Sequence, residues 1–229
     1  MSSDKLFIVS RSSEPFTDRV EAGKLLAEAL KPFVKAGAIV LGIPRGGLVT
    51  AREIARFFGA DFDIVLSRKL GAPGNPELAI GSVSEDRKLF LHESLIGHLG
   101  VSHEYIEEEK ERQLAEISRR TRLIRSILPK VPLGGRNVII TDDGVATGAT
   151  MQAALWTIRQ EHPQELIAAL PVGPEETLNE LARDCDKLVC LRVPYDFAAV
   201  GQFYALFPQT TDDEVISILK EEKARKSAG

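Results

Sequence analysis

Cysteine is scarce in this chain: 2 of 229 residues, Cys185 and Cys190. They form no CxxC pair, have no histidine beside them, and are too few to staple a domain of this size. Neither a disulfide scaffold nor a redox or metal role is supported, and a reducing compartment is expected. Cys185 continues the helical stripe Leu178, Leu181, Ala182, which predicts a small core residue. No apolar run approaches the roughly 20 residues of a membrane span, and the opening MSSDKLFIVSRSSEPF has no apolar core of signal-peptide length. A cytoplasmic protein with no membrane partner is therefore expected. With a net charge of -4 and 27% charged residues, the chain lacks the basic surface of a general nucleic-acid binder. The four histidines, His92, His98, His103 and His162, have no metal-ligand spacing and read as surface or loop residues, so no protein metal set is expected. Repeats and low-complexity linkers are absent, so residues 1–229 read as one domain.

What is present is an alternation of apolar β-type runs with helical patterns, which predicts an α/β fold, a doubly wound parallel sheet of about five strands. The runs are Ala38 to Ile43, Phe62 to Ser67, Asn137 to Thr141, Leu166 to Val172 and Lys187 to Val193, near-continuously apolar as doubly covered strands are. Helices follow on Leu48, Ala51, Ile54, Ala55 and Phe58, stopped by Gly59, and on Met151, Ala154, Leu155 and Ile158. Another opens at Gly173 and Pro174 with Glu175 and Glu176 in its first turn. Thr17 or Asp18 caps an N-terminal helix carrying Val20, Leu25, Leu26 and Leu30. Residues 71–130 stand outside the alternation, as a Gly- and Pro-rich stretch and then the charged run EYIEEEKERQ, whose charges read as a solvated helix face. Toward the C-terminus, 194–229 form a separate segment in which Thr211 and Glu214 make a capping box for a short helix, and EEKARKSAG reads as frayed.

The stretch Val138 to Thr150, VIITDDGVATGAT, carries the chemistry. Asp142 and Asp143 emerge at the C-terminal edge of a strand, where open α/β sheets bind ligands. Ala146, Thr147, Gly148, Ala149 and Thr150 can turn backbone amides toward a phosphate with a helix dipole behind them. A Walker A loop would need Lys after Gly148, and GxGxxG is absent. Carboxylates repel phosphate, so the two aspartates need another target, and vicinal sugar hydroxyls donate to them well. The pattern asks for a ribose bearing a 5-phosphate.

These residues resemble the phosphoribosyl pyrophosphate signature of type I phosphoribosyltransferases, above all the DDxxATGxT form of adenine phosphoribosyltransferase. The resemblance implies that Asp142 and Asp143 hold the ribose hydroxyls and that Ala146 to Thr150 wrap the 5-phosphate. Gly144 replaces a larger residue, a change expected to loosen the loop without removing a ligand group. Pro44, Arg45, Gly46 and Gly47 resemble the family's pyrophosphate loop, where glycine permits close backbone approach. Arg68 and Lys69 stand where the family often contacts pyrophosphate, sometimes across a homodimer interface. LGAPGNPELAIGSVSED sits where the family has a mobile loop, so 71–130 read as a lid or insertion and 194–229 as a hood. Together with VPYDFAAVGQFYALFPQTTDDEV, that insertion resembles predicted bacterial phosphoribosyltransferases with no assigned acceptor; the core likeness covers roughly residues 15 to 215.

The implied activity is pentosyl transfer in nucleotide metabolism: a nitrogen acceptor, a nucleobase for example, attacks C1 of phosphoribosyl pyrophosphate and pyrophosphate leaves, with Mg²⁺ held through the substrate. Arg45, Arg68 and Lys69 would stabilise the leaving group. Ala146 stands where hypoxanthine-type enzymes place a catalytic aspartate, so the acid-base role passes to Glu77 or Glu85. Trp156 reads as buried, and Phe203, Tyr204 and Phe207 fit either core or a stacking surface for a flat base. The rival is a non-catalytic phosphoribosyl pyrophosphate-sensing regulator, which would be expected to add a basic surface or DNA-binding module.

Overall fold

In the computed structural model, which describes residues 5–227, strands β1 (Leu6–Ser10), β2 (Ile39–Gly42), β3 (Asp61–Ile64), β7 (Asn137–Thr141), β8 (Glu165–Val172) and β9 (Lys187–Arg192) form one sheet in the order β1-β9-β8-β7-β2-β3. Every neighbouring pair is parallel. Helices α1 (Arg19–Leu30) and α2 (Gly47–Phe58) bury Leu26, Leu30, Leu48 and Ile54 on one face. Helices α5 (Ala149–Arg159) and α6 (Glu175–Leu181) bury Met151, Leu155, Leu178 and Leu181 on the other. From β2 the chain winds outward to β3, and from β7 it winds the opposite way to β8. The adjacent ends of β2 and β7 therefore form a crevice at a topological switch point, the usual ligand position in such sheets.

The doubly wound parallel sheet agrees with expectation, but it has six strands, not five. The added strand β1 carries the apolar run Leu6 to Val9 but lies at the edge, pairs only with β9 and stays partly exposed. The run Phe62 to Ser67 divides between two sheets. Val65 donates to the Gly42 carbonyl at 3.0 Å as the last tie to β2, and Ser67 already opens an antiparallel sheet of β4 (Ser67–Ala72), β5 (Asn75–Ser84) and β6 (Leu89–Leu91). Its glycines had read as loop breakers. Gly71 instead marks a register shift in β4, where a Cβ would meet the Pro76 Cα at 2.9 Å.

Helices α3 (Glu93–Leu99) and α4 (His103–Ile127) complete this insertion around Leu70, Ile80, Val83, Leu114 and Ile117. It is fastened to the main sheet by a buried ion triad. Arg125 donates to Asp63 at 2.6 Å and to both Glu85 oxygens at 2.8 and 2.6 Å. Asp63 also accepts from the Ile64 and Val131 amides. Burial pushes the Asp63 carboxyl above its ordinary range despite the opposing Arg125 charge.

The capping box at Thr211 and Glu214 forms, with reciprocal bonds of 2.7 and 3.2 Å. Helix α7 (Asp212–Ser227) is longer than the short helix expected, and residues 221–227 are helical where fraying was expected. The buried Glu222 explains this, since it accepts from Arg56 at 2.7 Å and Arg225 at 2.6 Å. Leu25, expected on the core face of α1, is exposed. Both cysteines are buried, and burial pushes their thiols up to about 12. Among the described residues no helix is long and apolar enough to cross a membrane.

Arg125→Met strips two buried carboxylates of their cation and is expected to cost about 3–5 kcal/mol of stability in urea unfolding at pH 7. The deficit should shrink toward pH 5. A buried carboxylate with a raised folded pKa contributes fully below its unfolded value and loses that contribution as pH rises through the folded one. A deficit independent of pH would count against the triad.

Candidate functional site

The crevice between β2 and β7 is built from two loops packed against each other. After β2 come Pro44, Arg45, Gly46 and Gly47, with a cis peptide between Pro44 and Arg45. A methyl group on Gly46 would run into the Asp143 carboxylate and the Arg19 guanidinium, and one on Gly47 would lie 2.8 Å from the Asp142 Cα. The glycines are thus required by close approach to the opposite loop, the reason expected from sequence but with a protein neighbour on the other side.

Asp142 and Asp143 follow β7. The Asp142 Oδ1 accepts from the Asp143 amide at 2.8 Å, and the Asp143 Oδ2 accepts from Arg19 Nε at 2.7 Å. Burial, reinforced by the Asp143 charge, pushes the Asp142 carboxyl well above its usual range. Arg19 also donates to the Pro208 carbonyl at 2.8 Å and lies 3.8 Å over the Phe207 ring. Tyr204 donates its hydroxyl to the Asp143 carbonyl at 2.6 Å, and burial raises its pKa. Phe203 is fully buried. Tyr204 and Phe207 stack on each other with centroids 4.8 Å apart, so this aromatic group supports the acidic pair from below.

Next comes Ala146 to Thr150, opening α5. The Val145 amide donates to the Val172 carbonyl at 3.0 Å, and Thr177 Oγ1 donates to the Ala146 carbonyl at 2.8 Å, which fixes the start of the turn. Gly148 has φ +76° and caps the helix without a side-chain bond. Among the described residues no protein acceptor is paired with the amides of Ala146 to Thr150, so the loop offers its donors and the helix dipole to an anion. Gly144 has φ +151°, and a Cβ there would lie 2.7 Å from Val200 Cγ1. The expectation of a looser loop is corrected: glycine here permits tight packing.

Arg68 and Lys69 separate by strand alternation. Arg68 pairs in register with Val83, on the face toward α4, and its guanidinium is 3.6 Å from Glu116. Lys69 pairs in register with Ser82, whose hydroxyl meets Thr157 of α5, and its amine donates to Glu77 at 2.8 Å. Glu77 is exposed on β5, whereas both oxygens of Glu85 are taken by Arg125. Arg45 is 3.6 Å from Asp212 at the start of α7. Trp156 is buried and packs on Phe90 at 4.6 Å, as a core residue.

Sequence reasoning missed Arg19. Its signal was a cation in the first helical position after the N-cap Asp18, where the helix dipole disfavours positive charge.

Comparison with known proteins bears on this arrangement. The phosphoribosyl transferase domain model matches residues 21–206. The chain belongs to the phosphoribosyl transferase family. A Mycobacterium tuberculosis protein provisionally named a phosphoribosyl transferase is 39% identical over 204 residues, covering 89% of this chain and 46% of that protein. The chain thus spans about half the length of the curated relatives it matches. The crystal structure of TT1426 from Thermus thermophilus is 45% identical, with a TM-score of 0.86 over 90% of this chain and 98% of that one.

Asp142→Asn retains an oxygen for the Asp143 amide and removes a charge that burial and Asp143 disfavour. It is expected to raise the thermal midpoint at pH 7 by a few degrees. A group with a raised folded pKa destabilises when ionised, so the gain should vanish as pH falls below the ordinary aspartate range. A lowered midpoint at pH 7 would refute the account of Asp142.

Proposed function

We propose that this chain transfers the 5-phosphoribosyl group from phosphoribosyl pyrophosphate, taken as its Mg²⁺ complex, to a nitrogen acceptor with release of pyrophosphate. One observation carries the reading. Two adjacent carboxylates and a run of backbone amides without protein acceptors meet at the single switch point of the sheet. A ligand suited to both needs hydroxyl donors and a phosphate on one small frame, and a 5-phosphorylated ribose has them.

In this reading Asp142 and Asp143 accept from the ribose 2- and 3-hydroxyls, with Arg19 holding the Asp143 carboxylate in place. Ala146, Thr147, Gly148, Ala149 and Thr150 bind the 5-phosphate. The Arg45, Gly46 and Gly47 loop lies beside the diphosphate with Arg68 above it, and Lys69 joins only if it leaves Glu77. The oxygen donors at the crevice suit Mg²⁺, a hard ion that keeps waters and prefers substrate phosphates. It would supply charge neutralisation on the diphosphate.

The acceptor nitrogen forms a bond to C1 as the C1–O bond breaks, and the diphosphate leaves with the electron pair. Positioning and neutralisation of the leaving group carry the catalysis. The acceptor proton needs a base. Glu77 is the better of the two glutamates, because its exposed pair with Lys69 can exchange while Glu85 is buried with Arg125. Within the insertion 71–130 the β4–β5 hairpin would act as the cover, with α4 fixed behind it, and 194–229 as the hood.

Calorimetric titration with phosphoribosyl pyrophosphate and Mg²⁺ is expected to give heat for the native chain. Asp142→Asn with Asp143→Asn, and separately Thr147→Val, should weaken binding about tenfold or more, since each removes a charge-assisted bond. Purines, pyrimidines and small amines should then be screened for pyrophosphate release. No heat with the native chain would defeat the reading; binding without release by any acceptor would favour a sensor.

A further inference from the structure

Beside the Pro44 to Gly47 loop, the sheet and the insertion enclose a cleft of about 100 Å³, lined among others by Pro44, Leu66, Arg68, Thr150, Glu116 and Arg120. A second cleft shares Pro44, Leu66 and Arg120 and adds Arg45, Arg119 and Asp212. Arg120 is the cation common to both. It projects from α4, a helix whose charges had read as a solvated face. Yet Arg120 follows the buried Ile117 by three residues and precedes the buried Ile124 by four. That spacing places it on the flank of the apolar stripe, exposed at the rim of both clefts.

Among the described residues three α4 cations, Arg119, Arg120 and Arg122, have no carboxylate within ion-pair distance, and of these only Arg120 lines both clefts. On the same helix Lys110 pairs with Glu107, Arg112 with Glu109, and Arg125 with Asp63 and Glu85. In the cleft Arg68 is 3.6 Å from Glu116, and at the loop Arg45 is 3.6 Å from Asp212. The buried Arg125 triad, five residues further along α4, fixes this part of the helix against the sheet. An unneutralised guanidinium held at one wall of a cleft, with a glycine loop at another and Thr150 of the phosphate loop at a third, suits an anion that spans them.

We infer that Arg120 is a ligand of the leaving diphosphate, so that the inserted helix α4 completes the anion site begun by the Pro44 to Gly47 loop. The inference rests on the proposed transfer and adds to it a residue from outside the sheet-edge motifs. It also answers a deficit of charge, since strand alternation turns Lys69 away from Arg68 and onto Glu77. The planar guanidinium is suited to two phosphate oxygens at once.

The test compares three probes, each with Mg²⁺: phosphoribosyl pyrophosphate, inorganic pyrophosphate and ribose 5-phosphate. Arg120→Ala is expected to weaken the first two about tenfold or more and leave the third unchanged, because ribose 5-phosphate has no diphosphate. Arg120→Lys should recover part of the loss. Arg120 is exposed, so unfolding midpoints of both variants should match the native chain; Arg120→Gln serves if the alanine variant does not fold. An equal loss on all three probes, or no loss on any, overturns the assignment while leaving the transfer reading intact. Failure of the native chain to bind any of the three overturns the transfer reading and this inference with it.

Discussion

Two carboxylates stand side by side where β2 and β7 part, and one guanidinium makes that arrangement tenable. Two like charges about 4 Å apart repel by about 4 kcal/mol at an effective dielectric of ~20. Arg19 opposes this from 2.7 Å on the Asp143 side, while burial first and the Asp143 charge second hold the Asp142 carboxyl above its usual range. The same guanidinium reaches the Pro208 carbonyl and lies on Phe207. The first helix, the glycine loop, the central strand and the C-terminal segment therefore meet at one ion pair. A fold that retains such a stressed pair accepts lower stability at the crevice.

The insertion follows a different logic. Its Gly- and Pro-rich part was expected as a mobile loop, but it is a bulged antiparallel sheet with its own apolar cluster; the helix expected after it is the 25-residue α4. Its anchor is the Arg125 triad, whose partners lie on β3 and at the end of β5. Removing charged groups from water is costly, so such a triad adds more to geometry than to net stability. It fixes α4 against the sheet edge. Any movement that covers the crevice would therefore have to come from the β4–β5 turn, where the Lys69 and Glu77 pair is exposed, and not from α4.

Much of this was legible in the chain. The motif 138–150 announced the strand, the acidic pair and the turn into a helix because each property resides in consecutive residues: apolar continuity, adjacent carboxylates, and small residues before a helix. PRGG after β2 was legible for the same reason, as were the Gly59 and Pro174 helix boundaries and the Thr211 capping box. The edge strand β1 was not, because its apolar run Leu6 to Val9 pairs with β9 about 180 positions away, a partner the run itself does not specify. The β4–β5 hairpin was obscured because glycines that serve as register shifts and close contacts look like loop glycines when read alone.

The sequence by itself determined the α/β class, the family, and the strand, acidic pair and small-residue turn of residues 138–150, because these depend on local order and short spacings. Tertiary structure decided which charges are available. It joined Arg19 to Asp143 across 124 positions, closed Glu85 onto Arg125, and sent Arg68 and Lys69 to opposite faces of a strand. It also brought Arg120 from a distant helix to the glycine loop. Charge acts through space and burial, so a side chain's partners are set by where the chain folds back, which linear spacing does not record.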